Sequence, residues 1–288
     1  MDLSVYGGTG LIGSYFSGLY GADVVPRNEL KPKHSKVLYL ISTTSNQNIY
    51  EDPTLDVKTN LLELTKRLDA CRKAGVYEFN FVSSWFVYGK ETNECKEDAY
   101  CKPKGFYSIT KLAAENLVID YCNTFGILWR IFRLGNVYGG RDKGSAKRNA
   151  LHKFISDIKE HKDIEIYRDV ARDYIHVFDV CRAMCLLSHT GNMNTIYNVG
   201  TGEKKLLISL LTEAKWHLKS PSKITCIDSP LMYNQAISTY MNVDRLSELG
   251  FIPLIDTYQG IQDLCHDQKF STPDRILTEP KFKQLLKL

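Results

Sequence analysis

The stretch Leu3-Ser4-Val5-Tyr6-Gly7-Gly8-Thr9-Gly10-Leu11-Ile12-Gly13 decides the fold. An apolar strand, Leu3 to Tyr6, runs into a glycine-rich turn, and a helical pattern from about Leu11 to Leu19 runs out of it. Glycine allows the tight turn and a close approach of backbone to phosphate. The helix that follows directs its free N–H groups and its positive dipole end at the same point. The unit reads as a dinucleotide site, with Gly7, Gly10, Leu11, Ile12 and Gly13 as its cradle. An ordinary strand-to-helix turn is the plain alternative.

Outward from this loop, strand and helix patterns alternate. Asp23 to Pro26 reads as a short second strand, and Arg27-Asn28 stand at its end. An acidic residue there would bind both adenosine ribose hydroxyls and select NAD. Arginine instead suits the 2′-phosphate of NADP, or is merely a solvated loop residue. Val37 to Ile41 is a buried strand, and Ser42 at its end is placed to line a cofactor crevice. Residues 27 to 36 are too few for a crossover helix, so this connection is expected to be a loop. Asp56 to Ala74 carries a helical stripe closed by Gly75, and Glu78 to Ser83 is the next strand. Residues 90 to 103 read as a polar surface loop, about Lys104 to Thr124 as a helix, and Ile127 to Leu134 as a strand. Arg141 to Arg148 is basic and reads as a mobile loop. Leu151 to Ile158 and Val177 to Ser188 read as helices; Ile164 to Tyr167, Ile196 to Val199 and Ile224 to Ile227 read as strands. The pattern predicts an α/β fold, a doubly wound parallel (Rossmann) sheet built from residues 1–140 and 177–200. A smaller α/β C-terminal domain, residues 141–176 and 201–288, is expected to cover the substrate.

Composition narrows the function. The chain has 288 residues, 43 % hydrophobic and 24 % charged, which is ordinary for a globular protein. A net charge of +4 gives no reason to expect nucleic acid and suits a small anionic ligand. No apolar run reaches the ~20 residues of a membrane span. The first strand begins by Leu3, so no signal peptide is expected. None of the 8 cysteines forms a C-x-x-C pair, and Cys181 and Cys185 read as buried thiols rather than metal ligands. A reduced, cytoplasmic protein without metal is expected. Cys95 and Cys101 fall in the polar loop, and their pairing stays open.

Two further signals carry chemistry. Tyr107-Ser108-Ile109-Thr110-Lys111 spaces a phenol and an ammonium one turn apart on one helix face. A free phenol titrates near pH ~10, and a neighbouring ammonium is expected to lower that value. Ser84 stands at the end of a buried strand in Ser83-Ser84-Trp85-Phe86-Val87-Tyr88-Gly89, where α/β folds bind ligands.

Together these elements resemble the extended short-chain dehydrogenase/reductase family, in its NAD-dependent nucleotide-sugar epimerase/dehydratase branch. The resemblance also takes in Asp52-Pro53, Asn60, Arg133-Leu134-Gly135-Asn136-Val137-Tyr138-Gly139, Arg172-Asp173-Tyr174-Ile175-His176 and Tyr197-Asn198-Val199-Gly200-Thr201-Gly202, and weakly Leu249-Gly250-Phe251-Ile252-Pro253. It implies that Tyr107 exchanges a proton with the sugar oxygen and that Lys111 holds the nicotinamide ribose and tunes Tyr107. It implies that Ser84 orients the reacting oxygen, with Asn60 and Ser42 at the cofactor. Asn136 would contact sugar or diphosphate, and Arg172 would pair with the diphosphate; a surface ion pair of Arg172 with Asp173 is the blander account. His176 reads as a packed strand-end histidine. The resemblance implies a homodimer through helices 56–74 and 104–124.

The departures choose among reactions. Dehydratases of this family carry an Asp-Glu pair directly after the catalytic hydroxyl residue, where this chain has Trp85 and Phe86. The GDP-fucose-forming reductase has a cysteine where this chain has Phe86. No arginine for diphosphate is evident near Leu231-Met232-Tyr233, and Tyr6 replaces the usual threonine. Hydride transfer at C4 of a nucleotide-linked sugar remains, as a 4-epimerase using NAD or as a 4-ketoreductase using NADPH. A non-catalytic nucleotide-sensing or scaffold protein on this fold is a third possibility.

Overall fold

The computed structural model describes residues 1–89, 94–140, 150–229 and 238–266. The stretch 141–148, read as a mobile loop, and residues 231–233 lie outside them.

Six strands form the central sheet. They are β1 (Ser4–Tyr6), β2 (Asp23–Val24), β3 (Lys36–Tyr39), β4 (Glu78–Ser84), β5 (Leu128–Leu134) and β6 (Thr195–Val199). All pair in parallel, in the order β6-β5-β4-β3-β1-β2. The chain goes from β1 to one side for β2, then to the other side for β3, so the switch point lies between β1 and β3. Alternate side chains feed two cores, as period-2 strands require. Val5, Leu38, Val82 and Phe132 pack against helices α1 (Leu11–Tyr20) and Val177–Thr190. Tyr6, Val37, Tyr39, Phe81 and Ile131 pack against α2 (Glu63–Lys73) and α3 (Phe106–Phe125). The expected doubly wound α/β sheet is therefore the fold.

Most expected elements stand within a residue or two of their places, and three differences matter. Lys104 and Gly105 precede α3 rather than belonging to it, and Gly105 takes φ +93°. The polar loop contains a short strand, Glu94–Cys95, paired with Tyr240–Met241. The single helix expected over 56–74 is three pieces. Leu55–Val57 is α-helical, Lys58–Leu62 is one π-turn, and α2 follows. The π-turn holds one extra residue and rotates the helix face locally, and Asn60 within it is only 2 % exposed.

The β2–β3 connection has no helix, as its length requires. Side chains of β1 tie it down. Ser4 Oγ accepts from the Lys33 and His34 N–H groups at 3.0 and 2.9 Å, and the Tyr6 hydroxyl donates to the Leu30 carbonyl. Arg67 of α2 donates to the Arg27 carbonyl at 3.3 Å.

A second, smaller α/β layer follows the sheet. Ile164–Tyr167 pairs in parallel with Ile224–Ile227, and both pack on Ala150–Lys159, Leu207–Leu218 and Thr257–His266 around a third core. Asn136–Tyr138 pairs with Tyr174–His176, linking the end of β5 to this layer. All 8 cysteines are free thiols, including Cys95 and Cys101. No helix among the described residues is long and apolar enough to cross a membrane.

Candidate active site

The glycine turn sits at the switch point. Gly7 has φ +81°, and a Cβ there would come within 3.1 Å of the backbone at Leu40 and Ile41, the end of β3. A Cβ at Gly13 would lie 2.3 Å from the Gly7 carbonyl oxygen, so helix and turn cross closely only with glycine. Gly10 caps α1 without a side-chain hydrogen bond, and no acidic residue occupies the first turn. That leaves the dipole end of α1 suited to an anion. Leu11 and Ile12 are half-buried behind it. The residues present fit a nicotinamide dinucleotide with its diphosphate at this turn.

From the end of β3 a polar network leads to α3. Asn60 Oδ1 accepts from Ser42 Oγ and the Thr43 N–H, both at 3.0 Å. Asn60 Nδ2 donates to Thr43 Oγ1 and to Thr110 Oγ1, both at 2.9 Å. Every polar atom of this buried amide is satisfied, and it fixes α3 against the β3 end. Asn60→Ala strips partners from Thr43 and Thr110 together, so a loss of about 1–3 kcal/mol is expected, read as a lower denaturant midpoint. An unchanged midpoint would dismiss the network.

Thr110 lies between the two residues that matter most on α3. Tyr107 and Lys111 face inward, 7 % and 2 % exposed. Burial pushes the Tyr107 phenol up to about 12; hydrogen bonding to Ser84 and Ser42 pulls it down, and the Asp56 charge pushes it up. The expectation that the Lys111 ammonium lowers Tyr107 is not met in this arrangement. Lys111 turns toward the sheet, donates from Nζ to the Val82 carbonyl at 2.7 Å and lies 4.2 Å over the Phe81 ring. Burial depresses Lys111 to about 7, with Glu115 opposing. Shared helical face is not shared destination: a long flexible side chain follows the nearest carbonyl.

Ser84 ends β4 and caps the short turn Trp85–Tyr88, where its Oγ accepts from the Phe86 N–H at 3.4 Å. Its hydroxyl also hydrogen-bonds the Tyr107 phenol, which draws that group down. Tyr107 and Ser84 thus come together at the carboxyl end of β4, while Lys111 reaches back to Val82 within that strand. Asn136 is half-buried and donates from Nδ2 to the Asp173 carbonyl at 3.3 Å. Arg172 is 3 % exposed, donates to the Ala171 carbonyl at 2.9 Å and lies 5.1 Å over the Trp85 ring. The surface ion pair with Asp173 does not describe it, because both residues are buried. The Asp173 carboxylate instead receives the Thr201 N–H and hydroxyl at 2.8 and 2.7 Å and the Gly202 N–H at 3.0 Å. His176 is buried at a strand end and caps the following helix, its Nδ1 accepting from the Phe178 N–H at 3.2 Å. Arg27 and Asn28 stand apart, exposed beyond the end of β2.

Sequence reasoning missed several supports. Glu115 continues the face of Tyr107 and Lys111 by another turn, a spacing that was legible. It takes the fork of Arg133, at 2.7 Å from Nη2, together with the Ser83 hydroxyl. Asn46, with no sequence signal, accepts from the Ser108 N–H at 3.1 Å at the start of α3. Among the described residues no group of three or more His, Cys, Asp or Glu is placed to hold a metal ion.

A glycine turn at the switch point of a parallel sheet, with serine, tyrosine and lysine beside it, defines the class of dinucleotide-dependent α/β enzymes. The model of the NAD dependent epimerase/dehydratase family matches residues 28–200, and the chain belongs to that family, whose members act on nucleotide sugars. The match leaves out the glycine turn itself, which stands on its own geometry. A putative UDP-glucose 4-epimerase of Methanocaldococcus jannaschii is 26 % identical over 237 residues, 81 % of this chain and 76 % of that protein. A dTDP-4-dehydro-6-deoxyglucose reductase of Escherichia coli is 25 % identical, over 84 % of this chain and 76 % of that one. The solved UDP-glucose 4-epimerase of Thermus thermophilus, in complex with NAD, superposes with TM-score 0.79 at 25 % identity, covering 91 % of this chain and 97 % of that one.

Proposed function

We propose that this chain transfers hydride at C4 of a nucleotide-linked sugar, acting as a nucleotide-sugar 4-epimerase. One observation carries the reading. Ser84 and Tyr107 are hydrogen-bonded at the crevice with Lys111 one turn along the same helix, and the two places after Ser84 hold Trp85 and Phe86, which transfer no protons. A bound nicotinamide dinucleotide supplies the hydride acceptor. Ser84 donates a hydrogen bond to the sugar oxygen at C4. Tyr107 moves the proton of that oxygen, and Lys111 supplies positive charge to the phenolate by turning from the Val82 carbonyl. Gly7, Gly10 and Gly13 receive the dinucleotide phosphates, and Ser42 and Asn60 hold the crevice wall. Arg172 and Asn136 take the sugar nucleotide's diphosphate side. Burial of the site excludes water, which protects a keto intermediate.

Arg27-Asn28 favours a second reading, an NADPH-dependent 4-ketoreductase of a nucleotide-linked keto-deoxysugar. An exposed arginine stands where an acidic residue would bind the ribose hydroxyls of NAD. Mass spectrometry of the purified protein decides between them. Retained NAD and interconversion of two epimers without added cofactor are expected. Stoichiometric consumption of NADPH, with a preference lost in Arg27→Ala, would establish the reductase instead.

We further propose a homodimer. Val57, Leu62, Phe106, Ile109 and Leu117 are exposed along the helical segments 55–73 and 106–125, an apolar strip suited to a matching copy.

A further inference from the structure

α3 begins without a cap of its own. Its N-cap residue is Gly105, which makes no side-chain hydrogen bond, and the first N–H groups of a helix find no partner within it. A side-chain oxygen of the N-cap residue ordinarily accepts the N–H two or three residues on. Here that oxygen comes from far along the chain. Asn46 opens the short 3-10 turn Asn46–Tyr50 that follows β3, 62 positions before Ser108. Its Oδ1 accepts from the Ser108 N–H at 3.1 Å. Its Nδ2 donates to Ser108 Oγ at 3.0 Å and to the Lys104 carbonyl at 3.4 Å. The Ser108 N–H only donates, which fixes the orientation of the amide. A Cβ on Gly105 would lie 2.5 Å from Asn46 Cγ and Oδ1. The amide therefore fills the space that a capping side chain at Gly105 would take. Asn46 and Ser108 are both buried.

This borrowed cap sits beside the residue assigned to proton transfer. Lys104 and Ser108, the two residues that Asn46 holds, flank Tyr107 in sequence. One half-turn on, Asn60 holds Thr110 at 2.9 Å. The segment after β3 thus grips the start of α3 at several points, and it also supplies Ser42, which hydrogen-bonds the Tyr107 phenol. Removing the Asn46 amide leaves the buried Ser108 N–H without its acceptor. The first turn is then free to shift, and the phenol loses its fixed line to Ser84. A misplacement of about 1 Å at a reacting group costs on the order of 100-fold in rate.

We propose that Asn46 is a positioning residue for the proposed reaction, a helix cap supplied across the fold that sets the Tyr107 hydroxyl against Ser84. The inference rests on the hydride-transfer reading above. Asn46 acts through Tyr107 and moves no proton itself.

The test is a double-mutant cycle on the full chain, with Asn46→Ala, Tyr107→Phe and the two combined, on the wild type's best substrate. Asn46→Ala is expected to lower kcat by about 10- to 100-fold and to change KM by less than about 3-fold. In the Tyr107→Phe background the same substitution should cost less than about 3-fold, because its effect passes through a hydroxyl already removed. A general loosening of the fold would cost the same in both backgrounds. Asn46→Asp keeps an oxygen for the Ser108 N–H, at a helix end that favours negative charge, so its kcat should stay within about 3-fold of wild type. The proposal is overturned by a kcat within about 3-fold of wild type in Asn46→Ala, by equal losses in both backgrounds, or by a loss in Asn46→Asp as deep as in Asn46→Ala. If Asn46→Ala fails to fold, Asn46→Ser, which withdraws the amide but keeps a polar group, takes its place in the cycle. A Tyr107→Phe variant with wild-type kcat overturns the proton-transfer reading and this inference with it. An inactive Tyr107→Phe beside a fully active Asn46→Ala overturns this inference alone.

Discussion

Tyr107→Phe is expected to lower kcat by about 10²–10⁴, the usual contribution of one positioned acid/base. The ring stays, so its edge contact with Phe86 persists and the thermal midpoint should move little. Only the hydroxyl that hydrogen bonding couples to Ser84 and Ser42 is removed. KM should change far less than kcat, because the phenol acts as the proton moves rather than on ground-state binding. Steady-state kinetics on the wild type's best substrate provide the check. A variant that keeps its kcat would remove Tyr107 from the mechanism.

The largest stability effect is expected at the opposite end of the sheet. Arg130 of β5 is buried and donates to Glu78 Oε1 at 2.8 Å and to Asn80 Oδ1 at 3.1 Å. Its Nε and Nη2 both reach the Gly191 carbonyl, at 3.0 and 2.9 Å. Arg130→Met takes the guanidinium from the buried Glu78 carboxylate and leaves it Asn80 Nδ2 at 2.8 Å and Lys36 Nζ at 3.7 Å, so the cost is expected at the lower end of the ~3–5 kcal/mol for breaking a buried pair. Arg130→Met with Glu78→Leu should recover most of that loss, since an apolar pair needs no compensation. Glu78 begins β4 and Ser84 ends it, so the active site lies a strand's length away and kcat of the folded variant should hold. Equilibrium denaturation gives the measurement. A single variant losing less than about 1 kcal/mol would show that the network is not the anchor its burial implies.

The fold was legible because its main strands are short apolar runs ended by glycine, serine or polar residues. Leu3 to Tyr6 and Glu78 to Ser83 announce themselves in this way, and glycines mark the close crossings. Ser84, Tyr107 and Lys111 were legible from position, since a strand end or a four-residue helical spacing fixes where a side chain starts. Where it goes was not. Lys111 finds the Val82 carbonyl, a tertiary partner 29 positions away in sequence. The π-turn at Lys58–Leu62 was equally hidden, because one inserted residue leaves the polar and apolar stripe nearly unchanged. Strands as brief as Asn136–Tyr138 and Tyr174–His176 carry too few residues for a period to register. The cation over Trp85 joins residues 87 apart, a contact that only folding creates.

The helix-free connection after β2 has a consequence for the molecule in company. Among the described residues β2 is the last strand of the sheet, and an edge strand is a template on which another chain can lay a strand. β2, however, offers just Asp23 and Val24 for pairing. Pro26 follows two residues on and brings no N–H. The Asp23 carboxylate, held by Lys33 at 2.9 Å, sets charges along the border. An edge this brief, followed by a proline without N–H and bordered by ions, gives a growing stack little to copy.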